Sequence, residues 1–509
     1  MRFLIMLAVL STLTPAASRA AWHEASGEHF VVYGDLPERQ IREQAEALER
    51  FDRAIRLLLG MRDDAAQRAN PITVYMVSGL NAVARLCGRC GQGVAGFYRP
   101  AAGRSFAVMP RRSGEGEFDL QASQIMQHEY AHALMFENSD RIYPAWYTEG
   151  FAEFVATARL TEDGGYAFGE APLYRAWSLV QETPPQITTL LAPARLRENA
   201  DLNAFYARSW LLTHYLTSDG ARGRQLVDYL ERFNRGEPSI AAARAAFGDL
   251  DKLHRALNAY LTGKLYYWKM PPGKLTPAPI KVRALRSGEA AFMPHRLRSV
   301  AGVDAEQAQA LVAPARKAAA TYPDDAWVQG SLAEVEYDAG NDQEAEAAAD
   351  RALATDPKWL PALLYKGRVR VRRAVQAKTS DPAVWREARS WFVRANRDEP
   401  DRAEPLKLFY ESFRAAGMTP TANATVGLRR ALELAPQDKR LRTMVAAQEI
   451  IDGRTAEAKA ALRPLAYDPH AGADNPAAAL LVALDRPDGI KAAQALLASQ
   501  SAQDKERKG

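Results

Sequence analysis

QIMQHEYAHALMF, residues 124–136, places His128 and His132 four residues apart, with Glu129 directly after the first histidine. On a helix, side chains four residues apart project about 40° from each other, so both imidazoles can face a single ion. Glu129, rotated by about 100°, stands beside such an ion rather than on it. A catalytic zinc ion has three protein ligands and one open position. The stretch therefore predicts a metal-binding helix that still needs a third ligand.

A third ligand is available in the segment PAWYTEGFAEFVATARL, which begins at Pro144. Its Glu149 follows His132 after sixteen intervening residues. The stretch between them, NSDRIYP at 138–144, has the composition of a loop between helices. A second helix that folds back on the first would bring the Glu149 carboxylate to both imidazoles. Glu153, four residues later, lies on the same side of that helix, where it can accept the free N–H of a liganding histidine.

The HEYAH motif followed by WYTEGFA resembles the gluzincin zinc peptidases, in particular the branch that shares a Trp-x-x-Glu-Gly-x-Ala signature with aminopeptidase N-like enzymes. The resemblance implies an α+β zincin-like metallopeptidase domain over residues 21–268, with one Zn²⁺ per chain. It implies that the metal ligands are His128, His132 and Glu149, and that Glu129 is the general base of peptide-bond hydrolysis. No counterpart of the exopeptidase motif is evident, which favours an endopeptidase over an aminopeptidase.

Two further segments have candidate roles in such a site. FYARSWLLTHYL, residues 205–216, contains Tyr206, which the resemblance nominates as the donor that stabilises the oxyanion. The alternative is that Tyr206 is a half-buried helix aromatic, and His214 is expected to be a packed or surface histidine. RSFAVMPR, residues 104–111, is either an edge strand that pairs with the substrate backbone or a core strand.

Around the motif, the front of the chain carries strand patterns and then helical patterns. Runs of β-branched and aromatic residues predict strands at 28–35, 71–79, 93–100 and 104–111. A helix is predicted between Pro37 and Gly60, and the chain from the motif to about residue 268 is mainly helical. The expected architecture is a small mixed sheet plus helices.

A Pro-rich passage that begins KMPPGKLTPAPIKVR predicts a linker over residues 269–300. Beyond it, proline recurs in one register at spacings of 34, 43, 36 and 33 residues: Pro323, Pro357, Pro400, Pro436 and Pro469. This part resembles the tetratricopeptide repeat over residues 301–470, which implies an all-α solenoid that docks a protein partner or substrate. An unrelated helical bundle is the alternative. Residues 471–509 are expected to form a capping helix and a disordered tail.

The first twenty residues, MRFLIMLAVLSTLTPAASRA, have the pattern of a secretory signal peptide. Arg2 gives the positive start, a short apolar run follows, and Ser18 to Ala20 provide small residues for cleavage. We therefore expect an exported protein, periplasmic or secreted, with no integral membrane segment once the signal is removed. An uncleaved anchor is the alternative.

The net charge and the cysteine content bear on nucleic-acid binding and on the presence of a disulfide. The formal charge of +5 falls to +3 without Arg2 and Arg19 (66 − 2 − 61), which is too small to indicate nucleic-acid binding. The two cysteines, Cys87 and Cys90, stand in LCGRCGQG. In an exported protein this spacing favours a local disulfide over two free thiols or a metal site.

Three functions are compatible with these patterns. The first is a zinc endopeptidase whose repeats dock a protein substrate or partner. The second is an exported repeat adaptor with an inactive metallopeptidase-like domain, and the third is a purely structural zinc site. A structural zinc site requires four protein ligands, and Glu129 would have no role in it. Because both histidines, Glu129 and Glu149 are all present, the sequence favours the enzyme.

Overall fold

The computed structural model describes residues 21–63, 68–88, 96–111, 120–138, 141–192, 199–471 and 474–506. The predicted signal peptide, residues 1–20, lies outside the described residues, and so does Cys90 of the predicted disulfide. No described helix is both long and apolar enough to cross a membrane. The described chain divides into a front half, residues 21–284, and a repeat half, residues 287–506.

The strands of the described residues all lie in the front half. They are β1 (Trp22–Ser26), β2 (Phe30–Asp35), β3 (Ile72–Val77), β4 (Phe97–Arg99), β5 (Phe106–Pro110), β6 (Arg159–Leu160), β7 (Tyr166–Phe168), β8 (Trp268–Met270) and β9 (Lys281–Ala284). Six of them form a mixed sheet in the order β4-β5-β3-β2-β1-β9, and β6, β7 and β8 form a small second sheet. Strands β2, β3 and β5 are parallel, whereas β1, β4 and β9 pair in the antiparallel sense. The predicted mixed sheet is confirmed.

Strand β5 lies in the segment 104–111, for which the sequence allows either an edge strand or a core strand. Strand β5 pairs with β3 on one side and with β4 on the other, so it is a core strand, and β4 is the edge strand. All five residues of β5 are buried. Strands covered on both faces carry continuous apolar runs, and the run Phe106–Pro110 has that character. The edge interpretation of residues 104–111 is therefore wrong.

The front half also contains helices, of which the first three contact the six-stranded sheet. They are α1 (Glu38–Leu59), α2 (Leu80–Cys87), α3 (Ala122–Glu137), α4 (Ala145–Ala156), α5 (Ala176–Val180), α6 (Ile187–Leu191), α7 (Asn199–Thr217), α8 (Gly220–Asn234), α9 (Ser239–Phe247) and α10 (Leu250–Leu261). Helix α1 buries Ile41, Ala45 and Ile55 at helical spacing and ends at Gly60, which adopts the left-handed conformation with φ +65°. Helix α4 packs between α3 and α7.

The repeat half is helical throughout its described residues. Its helices are α11 (Ser287–Val300), α12 (Ala305–Ala320), α13 (Ala326–Asp338), α14 (Asp342–Thr355), α15 (Leu360–Gln376), α16 (Pro382–Asp398), α17 (Ala403–Ala415), α18 (Ala422–Leu434), α19 (Lys439–Ile451), α20 (Thr455–Ala466), α21 (Pro476–Leu484) and α22 (Gly489–Glu506). Each helix packs on the next, and the strongest pairings are hairpins such as α13 with α14 and α19 with α20. Helices that contact their neighbours in series form a solenoid. The predicted helical repeats are confirmed.

Four of the described hairpin turns contain a residue with positive φ. Gly340, Gly417 and Gly453 occupy this place, with φ of +81°, +68° and +74°. At the equivalent turn between α15 and α16, Lys378 takes the same conformation with φ +49°. Glycine is favoured here because it has no Cβ to clash in the left-handed region. The inserted residues that lengthen this repeat thus keep the turn geometry without the glycine.

The boundaries between the two halves differ from the predicted ones. The predicted linker, residues 269–300, contains strand β9 and helix α11. Strand β9 completes the front-half sheet, because it pairs with β1 in the register His23 to Ala284. Local composition indicates a linker at the prolines, but it cannot reveal that a distant strand needs a partner. At the other end, the disordered tail is expected over SAQDKERKG, residues 501–509, but α22 extends to Glu506, so residues 501–506 are helical.

The repeat half folds back onto the front half. Helix α11 packs Met293 and Leu297 against the sheet face that carries Tyr75 and Val108. Further along, Asp438 accepts a hydrogen bond from the backbone N–H of Ala102 at 2.8 Å. Arg442 of α19 donates to the backbone oxygen of Phe136 at 3.3 Å, so the far repeats reach α3, the helix that carries the HEYAH motif.

Candidate metal centre

Helix α3 carries the HEYAH motif. Contacts on the face away from the two histidines fix the position of this helix. A capping box begins the helix, in which the backbone N–H of Gln121 donates to the side chain of Gln124 at 2.8 Å. Tyr130 donates a hydrogen bond to Asp52 of α1 at 2.5 Å, and Met126 and Leu134 are buried in the core. With one face fixed in this way, the other face directs both histidines of the motif towards α4.

Helix α4 supplies the carboxylate that faces these histidines. It begins after Pro144, and all eleven residues from Trp146 to Ala156 are buried. Glu149 is completely buried. Gly150, the next residue, contacts α7 so closely that a Cβ would clash with the backbone oxygen of Ser209. The close approach of α4 and α7 sets the position of Glu149.

The three predicted ligands lie together around one point. The Nε2 atoms of His128 and His132 are 3.0 Å apart, and each lies 3.4 Å from Oε2 of Glu149. Tetrahedral zinc with bonds of about 2.05 Å requires its ligand atoms to be about 3.3 Å apart. Among the described residues, these three form the cluster with the spacing of a metal site.

Several polar atoms of this cluster accept or donate no aligned hydrogen bond within the described part of the chain. Neither carboxylate oxygen of Glu149 has a hydrogen-bond partner among the described residues, and Nδ1 of His132 has none either. Buried polar groups without partners are costly, since each has lost water without a replacement. A cation between two imidazoles and a carboxylate would satisfy them, so the donor set fits a zinc ion.

The three side chains of the cluster interact with one another as an ion pair. Burial alone would raise the pKa of Glu149, but the charge of His132 and contacts with both imidazoles hold it below its usual range. Burial alone would lower the pKa of His128, yet the contact with Glu149 and the charge of Glu153 raise it to about 9. The carboxylate therefore stays ionised, as a metal ligand must be.

Glu153 lies one turn beyond Glu149 and faces the other nitrogen of His128. Its Oε1 is 3.7 Å from Nδ1 of His128, longer than a hydrogen bond. Arg175 donates to the same Oε1 at 2.8 Å, and Tyr174 donates to Oε2 at 2.8 Å. The buried carboxylate is thus fixed from two sides beside the imidazole.

The two residues with predicted catalytic roles flank the cluster. Glu129 is partly exposed on α3, outside the group of three ligands. The ring of Tyr206 on α7 lies 6.4 Å from that of His128, edge to face, and the guanidinium of Arg175 lies 5.0 Å from the tyrosine ring. Burial, reinforced by the charge of Glu149, raises the pKa of Tyr206, so its hydroxyl keeps its proton. His214 lies apart from the cluster, where its Nδ1 contacts Tyr260 at 2.9 Å.

One residue at the cluster comes from the repeat half. His470 follows helix α20, and its Nε2 lies 3.2 Å from Oε1 of Glu149. Its ring is 5.4 Å from the ring of His132. The sequence gives no local signal for this contact, because His470 stands in a turn more than three hundred residues after Glu149. Only the return of the solenoid onto α3 and α4 reveals it.

No protein-family model and no curated protein matches the chain. Among solved structures, the chain is similar to TTC0263, a thermophilic TPR protein of Thermus thermophilus, at 19% identity and a TM-score of 0.30. That match covers 36% of this chain and 93% of the other. The chain is also similar to the MamA RS-1 ArsTM double mutant at 14% identity and a TM-score of 0.27, with 36% and 96% covered. The helical repeats of this chain are evident from the packing of its consecutive helices.

Proposed function

We propose that the protein is a zinc-dependent endopeptidase that hydrolyses peptide bonds of an exported protein or peptide substrate. The observation that carries the proposal is the cluster of His128, His132 and Glu149, whose ligand atoms are 3.0–3.4 Å apart. The oxygens of Glu149, which accept no aligned hydrogen bond from a described residue, add to it. In this proposal the three side chains hold one Zn²⁺ per chain.

When bound, the zinc ion supplies a Lewis acid that lowers the pKa of water and polarises the carbonyl of the scissile bond. Glu129, on the same helix as the two histidines, accepts a proton from the attacking water at its carboxylate. It then delivers that proton to the departing nitrogen. This role fits a partly exposed carboxylate beside the ligands better than a structural role does.

Two residues would support this chemistry. The hydroxyl of Tyr206, which keeps its proton because burial raises its pKa, would donate to the oxyanion that forms on the substrate. Glu153 would orient the imidazole of His128 through its Nδ1. The repeats would bind the protein substrate and bring an extended segment to the site.

A second candidate function is an exported repeat adaptor with an inactive metallopeptidase-like domain. A cleft of about 1500 Å³ between the sheet and the repeat half favours it. Its lining includes Tyr33 of the sheet with Trp327 and Arg368 of the repeats, and it does not include the metal cluster. An adaptor needs only to bind its partner in this cleft, and its function requires no peptide-bond hydrolysis.

The test is to measure zinc content and hydrolysis of an unstructured protein such as casein, using wild type and Glu129→Gln. The enzyme proposal expects one zinc per chain in both proteins and hydrolysis by wild type only. Zinc without hydrolysis by either protein would favour the adaptor. A wild-type protein that takes up no zinc would overturn the enzyme proposal.

Export is a separate part of the proposal, supported by the pattern of residues 1–20. Determination of the amino terminus of the mature protein tests it. We expect the chain to begin near Ala21 or Trp22. An intact Met1 on protein recovered from the cytoplasm would contradict export and leave the enzyme proposal untouched.

A further inference from the structure

We propose that His470 is a positioning residue of the metal centre, supplied by the repeat half, which fixes the carboxylate of Glu149. This inference rests on the metal site of the proposed function. Nε2 of His470 lies 3.2 Å from Oε1 of Glu149, while Oε2 of the same carboxylate faces His128 and His132. The two oxygens of one carboxylate are therefore turned towards histidines from different halves of the chain.

The carboxylate needs such a partner. Glu149 is completely buried, and Oε1 has no aligned hydrogen bond among the described residues. Carboxylates that bind metal ions are usually held by an outer partner, which fixes the oxygen that faces the ion. The Nε2 atom of His470 lies within ion-pair distance of Oε1.

The turn that carries His470 is fixed in its own right. Asp468 accepts a hydrogen bond from the backbone N–H of His470 at 3.1 Å and another from Lys439 at 2.5 Å. The ammonium of Lys439 also lies 4.8 Å from the ring of Phe136, near the end of the metal-binding helix α3. The turn is thereby tied both to its own repeat and to α3.

Neighbouring contacts dock the same repeat on the front half. The ring of Tyr467 packs edge to face on that of Phe233 at 5.1 Å. Arg463 donates to the backbone oxygen of Asn234 at 2.8 Å. These contacts surround His470, whose side chain is still 48% exposed. Because the ring does not fill the core, its removal should change the metal centre without unfolding the protein.

The inference predicts a loss of zinc affinity when the imidazole is removed. In the full-length protein, His470→Ala should weaken zinc binding by about 10- to 100-fold, as loss of an outer partner typically does. His470→Gln, whose amide N–H can occupy the same place, should recover part of that loss. His254→Ala, which removes a histidine of α10, is the matched control and should bind zinc as wild type does.

Zinc affinity is measured by competition with a chromophoric chelator on chelator-stripped protein. Absorption of the Co²⁺-substituted protein provides a second readout. A positioning role leaves the three ligands in place, so the cobalt bands of His470→Ala should match those of wild type. Loss of a nitrogen ligand in that spectrum would overturn the positioning role, and so would wild-type zinc affinity in His470→Ala.

The outcomes separate this inference from the proposed function. If wild type hydrolyses protein and His470→Ala retains full zinc affinity, the inference fails and the enzyme stands. If His470→Ala loses affinity but no protein is hydrolysed, the inference stands and the enzyme fails. A wild-type chain that binds no zinc overturns both.

Discussion

His128 and Glu153 face each other across 3.7 Å, from Nδ1 of the ring to Oε1 of the carboxylate. The other nitrogen of the same ring faces Glu149 at 3.4 Å. One imidazole thus lies between two buried carboxylates, one on the predicted metal side and one behind it. The carboxylate behind a liganding histidine fixes the ring orientation and makes the ring a better ligand.

Glu153→Gln tests this relationship. The substitution keeps the shape but removes the charge, so we expect zinc affinity to fall about 10-fold. Chelator competition measures the change. Glu170→Gln is the control, because Glu170 pairs with Arg159 at 2.6 Å in an exposed position away from the ligands. Equal affinities of Glu153→Gln and wild type would show that Glu153 serves only to bind Arg175 and Tyr174.

Zinc should stabilise the folded chain through the same cluster. A ligand that binds only the native state at 100 times its Kd adds about 2.7 kcal/mol to the free energy of unfolding. We therefore expect zinc to raise the Tm of the chelator-stripped wild type. His132→Ala should abolish this shift, whereas His254→Ala should retain it. A zinc-dependent shift of equal size in His132→Ala would place the metal elsewhere.

Glu129→Gln should separate metal binding from catalysis. The amide cannot accept the proton of water, so we expect kcat to fall by about 10²- to 10⁴-fold. Zinc affinity should remain within about threefold of wild type, because Glu129 lies outside the ligand cluster. Steady-state hydrolysis of a fluorogenic peptide and chelator competition provide the two measurements. A parallel loss of zinc would make Glu129 a ligand or a structural residue.

The close contact of α4 with α7 predicts an unusual sensitivity at Gly150. A Cβ at this position would lie well within 3.0 Å of the backbone oxygen of Ser209 and the hydroxyl of Thr213. Gly150→Ala should therefore lower the free energy of unfolding by about 1–3 kcal/mol and weaken zinc binding, since Glu149 is adjacent.

Gly223→Ala on helix α8 is the matched control for that experiment. A Cβ at Gly223 meets no atom within 4 Å. Alanine has the higher helix propensity, so this substitution should raise the free energy of unfolding by about 0.5–1 kcal/mol. Urea unfolding of both variants measures the contrast. Equal effects of the two substitutions would contradict the packing argument.

A buried charge network predicts how stability depends on pH. Burial alone would lower the pKa of His29, but its hydrogen bond with Glu49 at 2.9 Å and the charge of Asp52 raise the pKa to about 9. Asp63 also faces the ring at 3.1 Å, while the nearby positive charge of Arg56 opposes protonation. The folded state therefore binds the His29 proton more tightly than the unfolded state does.

The sign of this pH dependence follows from the coupling between proton binding and folding. A raised pKa contributes stability that is fully present below the unfolded value of 6.5 and is lost as pH rises through about 9. The contribution is on the order of 3 kcal/mol. Urea unfolding of wild type and His29→Gln between pH 6 and 10 should show their difference shrinking across this window. A difference that stays constant would mean that His29 is neutral in the fold.

The elements that could be predicted are those with a strong local pattern. The helix expected between Pro37 and Gly60 is α1, Glu38–Leu59, and its apolar residues recur at helical spacing. The expected strand at 71–79 is β3, Ile72–Val77, whose six residues are all buried. The cluster of His128, His132 and Glu149 also follows from spacing on two adjacent helices. Its zinc and its chemistry stay predictions.

The features that could not be predicted depend on contacts between distant segments. Strand β1, WHEAS, contains no β-branched residue and gains its conformation from β2 and β9 on either side. His470 approaches Glu149 only because the whole solenoid returns to the front half. No window of residues around any of these positions contains the partner that explains it.

The pairing of β1 with β9 also sets an order of assembly. Strand β1 begins at Trp22 and its outer partner ends at Ala284, so every front-half helix is synthesised before that edge of the sheet is covered. Until then the outer backbone groups of β1 are open to pairing with another chain. A nascent chain is therefore exposed to intermolecular association until strand β9 has been synthesised, and keeping newly made copies apart would matter most in that interval.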